Sequence, residues 1–393
     1  MNKIYLDYTA TTPVDRRVID AMSPYLDGTF GNASSIHAFG REAKASLENG
    51  RDKLAGFLGV RSSELFFTSG GTESDNTALL GIAAKCEDTR KKHIVVSSIE
   101  HHAILHGADS LRRKGFKVSI VHVDPEGFVS SEEIEKVMTE ETILVSIIHA
   151  NNEIGSVQRL SELSGIVHSR GALLHTDAVQ SFCKIPLDLT SSGVDLASFS
   201  AHKLYGPKGI GALYVRRGVD VEPLLHGGAQ ERNRRPGTES VFMAVGFAKA
   251  AELASAELSN ESTRLSRLNT SMRTKISEEV PEAIFNSPGH DAIPNILSVS
   301  IDSSKMEIDG EALIINMDLE GIAVSSGSAC SSGSLQPSHV IKALGRDDAT
   351  TMATVRFSFG RFTTEEEVVT AVDHFIGIVR RIGKRKKVIS PVS

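Results

Sequence analysis

Cysteine is scarce in this chain of 393 residues, which contains Cys86, Cys183 and Cys330 and no others. No pair has the Cys-x-x-Cys spacing, so neither a disulfide framework nor a structural zinc site is expected. Long hydrophobic runs are also absent. No segment approaches the roughly 18 apolar residues of a membrane span, and the first residues lack a signal-peptide hydrophobic region. We therefore expect a cytoplasmic protein with no membrane association.

Basic charge is not in excess either, because the formal net charge at pH 7 is −6. General nucleic-acid binding requires a surplus of lysine and arginine, and we exclude it on this ground. The basic run at 380–387 follows an amphipathic segment at the end of the chain, and we interpret it as a solvated helix end and tail. Small substrates and proteins remain as the expected partners.

Between about residues 65 and 215, short apolar runs alternate with helical patterns. This alternation predicts an α/β fold with a mostly parallel sheet that is covered on both faces. Polar clusters follow five of the predicted strands directly, and ligands in such sheets bind beyond the carboxyl ends of the strands. We expect a functional site there, formed from the clusters at 70–73, 100–102, 150–153, 177–180 and 200–203.

The pattern changes beyond Pro281, where an alternating strand pattern, a helical pattern and a second strand pattern follow one another. These elements predict a smaller α+β domain, connected to the first by a long helical stretch. The predicted large domain comprises residues 15–260, and the predicted small domain comprises residues 1–14 and 261–393.

Lys203 occupies the most informative position in the sequence. It follows the apolar-leaning run 196–199 and leads into a glycine-rich turn. An amine held between a rigid strand and a tight turn suits a Schiff base with a cofactor aldehyde, and Ser200 and His202 offer donors for a nearby phosphate. Lys208 is an alternative amine, but its Pro-Lys-Gly setting is typical of a turn.

Four other strand-end residues add to this chemistry. Gly71 and Thr72 open a helix after a strand, where backbone amides, the helix dipole and a hydroxyl form a phosphate site. The spacing matches neither a Walker motif nor a dinucleotide fingerprint. Asp177 can keep a pyridine nitrogen protonated, and Gln180 can donate to a ring hydroxyl. A capping turn and an ordinary strand-end aspartate are the alternative interpretations.

His101 suits stacking on a cofactor ring and proton transfer. A metal site with the adjacent His102 is not favoured, because no Cys, Asp or Glu completes a ligand set at suitable spacing. A structural, hydrogen-bonded histidine is the alternative. Together the residues at the strand ends describe a site for pyridoxal 5′-phosphate, and no metal is predicted.

Cys330 is unusual because it lies among serines and glycines that cannot form a packed core. A thiol on such a tether can attack a substrate held at the cofactor and carry the product atom away. Arg356 is a candidate clamp for a substrate carboxylate, with Asn152 as a second donor. An incidental linker cysteine and an ion-paired strand arginine are the alternatives.

The chain resembles the NifS/IscS-type cysteine desulfurases, which are pyridoxal-phosphate enzymes of fold type I. The resemblance extends over nearly the whole length, and Tyr8-Thr9 departs from the Asn-Ala that the family often has. The motifs that carry it are Leu6-Asp7, Ala10-Thr11-Thr12-Pro13, Gly71-Thr72-Glu73-Ser74, Glu100-His101-His102-Ala103, Asn151 to Gly155, Asp177-Ala178-Val179-Gln180, Ser200-Ala201-His202-Lys203, Gly237-Thr238, Ser328-Ala329-Cys330 and Arg356-Phe357-Ser358.

The resemblance implies a large domain with a seven-stranded, mostly parallel sheet and conversion of L-cysteine to L-alanine, with a persulfide left on Cys330. It also implies a homodimer, and transfer of the sulfur to an iron–sulfur scaffold or another acceptor, such as one for tRNA thiolation. The implied roles are the Schiff base and Cα proton transfer for Lys203, ring stacking for His101, ring-nitrogen pairing for Asp177, a ring-oxygen bond for Gln180, phosphate contacts for Thr72, Ser200 and His202 with Thr238 of the partner subunit, and substrate carboxylate binding for Asn152 and Arg356.

Two other functions are compatible with parts of this pattern. Another fold-type-I pyridoxal enzyme, such as an aminotransferase or a selenocysteine lyase, would keep Lys203 and Asp177 but make Cys330 dispensable. A non-catalytic sulfur-transfer or scaffold protein would have kept the fold only for binding partners. The intact Lys203 and Asp177 argue against the second.

Overall fold

The computed structural model of the protein describes residues 3–86, 90–326 and 336–386. None of the helices in these ranges is both long and apolar enough to cross a lipid bilayer. The strands are β1 Ile4–Tyr5, β2 Leu65–Thr68, β3 His93–Ser97, β4 Lys117–Val121, β5 Thr142–Ser146, β6 Leu173–Asp177, β7 Leu196–Ser200, β8 Gly211–Val215, β9 Ala283–Phe285, β10 Ile296–Ile301, β11 Met306–Glu307, β12 Ile322–Ala323, β13 Thr354–Ser358 and β14 Lys384–Arg385. The helices are α1 Arg16–Met22, α2 Pro24–Asp27, α3 Ala38–Leu58, α4 Gly71–Lys85, α5 His102–Arg113, α6 Ser131–Val137, α7 Leu160–Ser169, α8 Gln230–Asn233, α9 Val241–Glu279, α10 Gly310–Leu319, α11 His339–Ala343, α12 Asp348–Met352 and α13 Glu365–Ile382.

The largest sheet has seven strands in the order β2-β8-β7-β6-β5-β3-β4. Strands β4, β3, β5, β6 and β7 are parallel, whereas β8 is antiparallel to both β7 and β2. The prediction of a mostly parallel α/β sheet is confirmed. The direction of β8 is consistent with its connection, because the ten residues after β7 form a short return with no crossover α-helix. Antiparallel neighbours can be joined by such a return, whereas parallel neighbours need a longer crossover.

Helices cover this sheet on both faces, and every residue of β3, β5, β7 and β8 is buried. Burial on both faces explains why these strands read as near-continuous apolar runs. Two of the polar residues stand at carboxyl ends, where β6 finishes on Asp177 and β7 on Ser200. These two strands are neighbours, and Asp177 pairs with Ser198 across the ladder.

A second core lies around the antiparallel sheet β9-β10-β13, which α10 and α13 cover together with the later part of α9. The 39-residue helix α9 contributes Phe247 and its neighbours to the first core and Met272 with Ile276 to the second. Strand β1 joins the second core by pairing with β12. The predicted helix and strands after Pro281 are confirmed, while the exact domain boundaries stay a prediction.

Candidate active site

A cavity of about 510 Å³ opens at the carboxyl ends of β6 and β7. Its size is within the range of small-molecule sites, which is about 300–1,000 Å³. Ten of the residues predicted from the sequence line it: Gly71, Thr72, His101, Asn152, Asp177, Gln180, Ser200, His202, Lys203 and Arg356. Thr238 does not line this cavity, and Cys330 lies outside the described residues.

Lys203 enters the cavity from a single 3-10 turn, Ala201–Lys203, that follows β7 directly. Its Nζ donates hydrogen bonds to the carbonyl oxygens of Thr9 and Ala10, the latter at 2.8 Å. Burial, together with the positive charge of Arg356, lowers the pKa of the Lys203 amine to about 8. A larger fraction of neutral, nucleophilic amine is therefore present near pH 7 than for an exposed lysine.

Asp177 lies on the floor of the cavity, where its Oδ1 accepts a hydrogen bond from the amide of Val179 at 2.9 Å. Burial raises the pKa of this carboxyl to about 6, while the amide of Val179 and the Lys203 charge oppose the rise. The group is therefore mostly ionised at pH 7 and can hold a cationic N–H of a ligand.

Gln180 is held in one orientation by a lysine that sequence analysis did not identify. Lys184 Nζ donates to Gln180 Oε1 at 2.8 Å, and Gln180 Nε2 donates to the carbonyl of Thr9 at 3.0 Å. Because the carbonyl oxygen of Thr9 can only accept a hydrogen bond, the amide nitrogen of Gln180 must face the N-terminal segment, and Lys184 then donates to the amide oxygen. Burial and the Lys203 charge lower the pKa of Lys184 to about 7. Lys184 lies four residues after Gln180 in the sequence, and this short spacing is the signal that could have indicated their contact.

His101 precedes α5 as its capping residue, and its Nδ1 accepts a hydrogen bond from the amide of Ala103 at 3.2 Å. This contact places the proton of the neutral ring on Nε2. Desolvation of the ring by the protein around the cavity, together with the positive charge of Lys203, lowers the pKa of His101 to about 4. The ring is therefore neutral at pH 7 and presents a donor on the nitrogen remote from α5.

Next to the main cavity, a pocket of about 390 Å³ is lined by the start of α4 and by residues around Lys203. Gly70, at φ 152°, turns the chain so that the first amides of α4 are exposed there. A Cβ on Gly71 would lie 2.8 Å from Val179 Cγ2, so a larger residue at this position would have to displace the Val179 side chain. Free amides at a helix start favour a phosphate, and Thr72 and Ser200 also line this pocket.

His202 completes this side of the site. Its Nδ1 is hydrogen-bonded to Thr11 Oγ1 at 3.1 Å, and its carbonyl accepts from Thr12 Oγ1 at 2.8 Å. Burial and the Lys203 charge lower the pKa of His202 to about 4. The neutral ring can donate or accept one hydrogen bond without adding charge. The site therefore combines a phosphate-binding helix start, the ring-nitrogen partner Asp177, the ring-oxygen donor Gln180 and the low-pKa amine of Lys203. This combination fits pyridoxal 5′-phosphate.

Arg356 is buried on β13 and faces the cavity from the second core. Its Nη2 donates to Asp7 Oδ1 at 2.8 Å, and its Nη1 donates to the carbonyl of Asn152 at 2.9 Å. The Nε group is buried and has no hydrogen-bond partner among the described residues. A buried donor without a partner is costly, so the guanidinium has capacity for an anionic ligand.

Asp75 and Glu100 are buried carboxyl groups of the floor that sequence analysis did not single out as site residues. Asp75 lies one helical turn after Gly71, and this spacing from the predicted phosphate turn could have indicated it. Glu100 accepts hydrogen bonds from Ser97 Oγ at 2.5 Å and from the amide of Ile148 at 2.7 Å. Burial raises the pKa of Glu100 to about 8.

Among the described residues, Asp75, His101 and Asp177 form the one group of three that brings metal-ligating atoms together, within 4.8 Å of one another. The prediction of no metal stays a prediction. Thr238 lies instead in a pocket of about 220 Å³, with Ser69 and Arg235 nearby. Arg235 is paired there with Glu73 at 2.9 Å.

The sequence and the fold were compared with known proteins. A family model described as aminotransferase class-V matches residues 4–370. Cysteine desulfurase IscS of Dictyoglomus turgidum is 44% identical over 99% of this chain and 96% of the relative. Cysteine desulfurase IscS of Cronobacter sakazakii is 45% identical over 99% of this chain and 95% of the relative.

Solved structures of NifS-like proteins are also similar to this chain. A structure described as a NifS-like protein is similar with a TM-score of 0.90 and 39% identity, over 97% of this chain and all of that chain. A NifS-like protein from Rickettsia africae has a TM-score of 0.86 and 30% identity, over 96% of this chain and all of that one. The similarity therefore includes both cores and the cavity between their elements.

Proposed function

The chain belongs to the class-V aminotransferase family, and from this premise we propose that it is a pyridoxal-phosphate-dependent cysteine desulfurase that converts L-cysteine to L-alanine. One observation carries the proposal: an amine of lowered pKa, Lys203, shares a cavity with a carboxylate, Asp177, and a buried guanidinium, Arg356. Relatives that match at 44–45% identity over almost the whole chain are named cysteine desulfurases.

The residues present would supply a partner for each part of the cofactor. The first amides of α4, with Thr72, Ser200 and His202, would hold the phosphate. Asp177 would hold the proton of the ring nitrogen, and Gln180 would donate to the ring oxygen. When bound, the cofactor supplies an electron-withdrawing ring that delocalises negative charge developing at the substrate Cα.

The remaining residues orient the substrate and move its proton. Arg356 binds the substrate carboxylate through donors that its bonds to Asp7 and Asn152 leave free, and the side chain of Asn152 is a second donor. Lys203 would bind the cofactor through its amine, and the same amine could take up the proton of the substrate Cα. The neutral ring of His101 would pack beside the cofactor and could donate its Nε2 proton.

Cys330 is the sulfur acceptor in this proposal, which rests on its position among serines and glycines and on the family. Its thiolate attacks the sulfur of the bound cysteine, so that an S–S bond forms and the substrate Cβ–S bond breaks. The Cβ carbon takes the bonding electron pair and a proton to become the methyl group of alanine. The sulfur remains as a persulfide, and no external oxidant or reductant is needed.

We propose further that the protein acts as a homodimer, with Thr238 completing the phosphate site of the partner subunit. Exposed apolar side chains are concentrated in one segment, where Leu26, Phe30, Ile36 and Phe39 expose 55–91% of their surface. Such a concentration is typical of a protein interface. The position of Thr238 outside the main cavity of its own chain supports the same view. Sedimentation of the parent protein and of a Phe30→Asp variant tests it, and a parent monomer would contradict it.

The proposal also includes the protein that accepts the sulfur from Cys330. Two relatives carry the name IscS, which supports delivery to an iron–sulfur scaffold, with an acceptor for tRNA thiolation as the second candidate. A cytoplasmic location is proposed with it. The test mixes the persulfide-loaded protein with a scaffold protein and follows the outer sulfur of the Cys330 persulfide. Its appearance on the scaffold indicates delivery, whereas its appearance as free sulfide indicates simple release.

The decisive experiment measures alanine and sulfide from L-cysteine under reducing conditions for the parent and for Cys330→Ser. We expect both products in equal yield from the parent, and a rate at least about 100-fold lower for the variant because the nucleophile is lost. Cys183→Ser is the matched control, since burial raises the pKa of the Cys183 thiol to about 12 and makes it a poor nucleophile.

Each alternative function predicts a different result. An aminotransferase or a selenocysteine lyase keeps its turnover on its own substrate when Cys330 is replaced. A non-catalytic scaffold gains no absorbance with added pyridoxal phosphate and releases no alanine. If Cys330→Ser forms alanine and sulfide as fast as the parent, the role proposed for Cys330 is wrong.

A further inference from the structure

Two aspartate carboxyl groups from different elements meet under the floor of the cavity. Asp75 projects from the second turn of α4, and Asp177 ends β6. Their side-chain oxygens lie within 4.8 Å of each other and of a nitrogen of His101. The two aspartates expose only 1% and 5% of their surface. Two carboxylates so close together and so far from water repel each other strongly, and both cannot be ionised at neutral pH.

Within the part of the chain that the structure describes, no lysine or arginine forms an ion pair with Asp75. The nearest basic group is His175, with Nε2 at 3.8 Å from Asp75 Oδ1, and that oxygen has no hydrogen-bond partner among the described residues. His175 is fully buried, and burial lowers its pKa to about 3, so the ring is neutral. Its Nδ1 is hydrogen-bonded to Ser146 at 2.8 Å and its Nε2 to Ser198 at 3.0 Å. Ser198 is in turn hydrogen-bonded to Asp75.

The other charged groups around the pair favour a proton on Asp75 rather than on Asp177. Glu100, from the loop after β3, faces Asp75 as a further buried acid, and negative charge on it would disfavour an ionised Asp75. Lys203, from the turn after β7, faces Asp177 and stabilises its anion. Asp177 also has the amide of Val179 as a donor, at 2.9 Å. The anion therefore belongs on Asp177.

We infer that Asp75 is a positioning residue of the site: it remains a neutral carboxylic acid, so that the pair holds a single negative charge, located on Asp177. A single charge matches the single positive charge of a protonated ring nitrogen. It also leaves only one anionic ligand in the group that includes His101, which disfavours a divalent cation. The role of Asp75 and Asp177 in binding a protonated ring nitrogen rests on the proposed function. The protonation state of the two carboxyl groups does not depend on it.

The test uses the full-length, cofactor-free protein labelled with ¹³C at the aspartate side-chain carboxyls. Infrared spectroscopy at pH 7 reports the C=O stretch of a protonated aspartate, which is separate from the carboxylate bands. We expect this band in the parent, its loss in Asp75→Asn, and its retention in Asp52→Asn. Asp52 is an exposed aspartate on α3 and provides the matched surface control.

Stability against pH provides the second readout. Burial and the charge of Asp177 raise the pKa of Asp75 above its usual value. A raised carboxyl pKa stabilises the fold fully at acid pH and less as pH rises through that pKa. The melting temperature of Asp75→Asn relative to the parent should therefore increase by several degrees between pH 4 and pH 8. Asp52→Asn should show no such trend.

Three results would overturn the inference: no protonated-aspartate band in the labelled parent, an unchanged band in Asp75→Asn, or a melting-temperature difference that decreases with pH. If Asp75→Asn does not fold, the labelled parent alone decides, because a protein with only ionised aspartates has no such band. Failure of the proposed function appears elsewhere, as absence of cofactor binding or of alanine, and leaves these measurements unaffected.

Discussion

Replacing Arg356 by lysine should weaken substrate binding far more than it slows the chemistry. The guanidinium donates one hydrogen bond to Asp7 and one to the carbonyl of Asn152, and its buried Nε has no partner among the described residues. Three of its five N–H groups are therefore free for a substrate carboxylate, and two of them can bind it side by side.

A lysine at this position keeps the charge but loses the planar fork. It cannot hold Asp7 and also bind the substrate carboxylate with two hydrogen bonds. The loss of one charge-assisted hydrogen bond costs about 1.5–3 kcal/mol, which corresponds to a roughly 10- to 150-fold increase in KM. The value of kcat should change less than about threefold, because the carboxylate contact is the same before and during proton transfer.

The assay is alanine formation at varied L-cysteine concentration, with circular dichroism to verify folding. Arg273→Lys is the matched control, since Arg273 packs on Phe285 and bonds the carbonyl of Ser287 in the second core, outside the cavity. A decrease in kcat with an unchanged KM for Arg356→Lys would refute the assigned role. An equal effect of the control would show that the change acts through general stability.

Three further predictions follow from named contacts. Lys203→Ala should bind cofactor without a covalent link and lose activity at least about 1,000-fold; borohydride reduction and peptide mass analysis of the parent should place the adduct on Lys203, and an adduct on another lysine would contradict this. Burial lowers the pKa of His149 to about 4, so its folded form resists protonation and the free energy of unfolding should decrease as pH falls from about 6.5 to 4; a His149→Gln variant should lose roughly one proton of this dependence in acid titrations followed by fluorescence or circular dichroism, and an unchanged slope would count against it. Arg51→Met should destabilise the fold by about 3–5 kcal/mol in urea unfolding, because it leaves the buried Glu231, now paired at 2.6 Å, without its cation; the double variant Arg51→Met with Glu231→Leu should recover much of the loss, and additive costs would argue against the pairing.

The chemistry of the site could be predicted because its residues follow strands directly. Gly71, Asp177 and Lys203 are each next to a short apolar run in the sequence, and the carboxyl ends of parallel strands meet at one edge of the sheet. Their convergence in one cavity therefore follows from strand order and direction. The seven strands were predictable because buried strands appear as short apolar runs, and the long helix α9 was predictable because its residues follow a helical pattern.

Other features had no local signal. The antiparallel direction of β8 depends on a short connection rather than on the composition of the strand. Asp75 differs little in sequence context from surface residues, and only folding brings it close to its partner Asp177. Lys184 lies four residues after its partner Gln180, but nothing in the sequence indicates that its side chain is directed into the site. The pairing of Arg356 with Asp7 joins residues 349 apart in the chain.

The sequence alone determined which chemical groups are available: the amine of Lys203 after a strand, the carboxylate of Asp177 at the end of a strand, and the guanidinium of Arg356 within a strand. It did so because hydrophobic periodicity and turn residues act locally. Only the tertiary structure decided the charge state of these groups. The pKa of Lys203 is low, and Asp75 and Asp177 compete for one proton, because burial removes water and brings distant charges within a few ångströms.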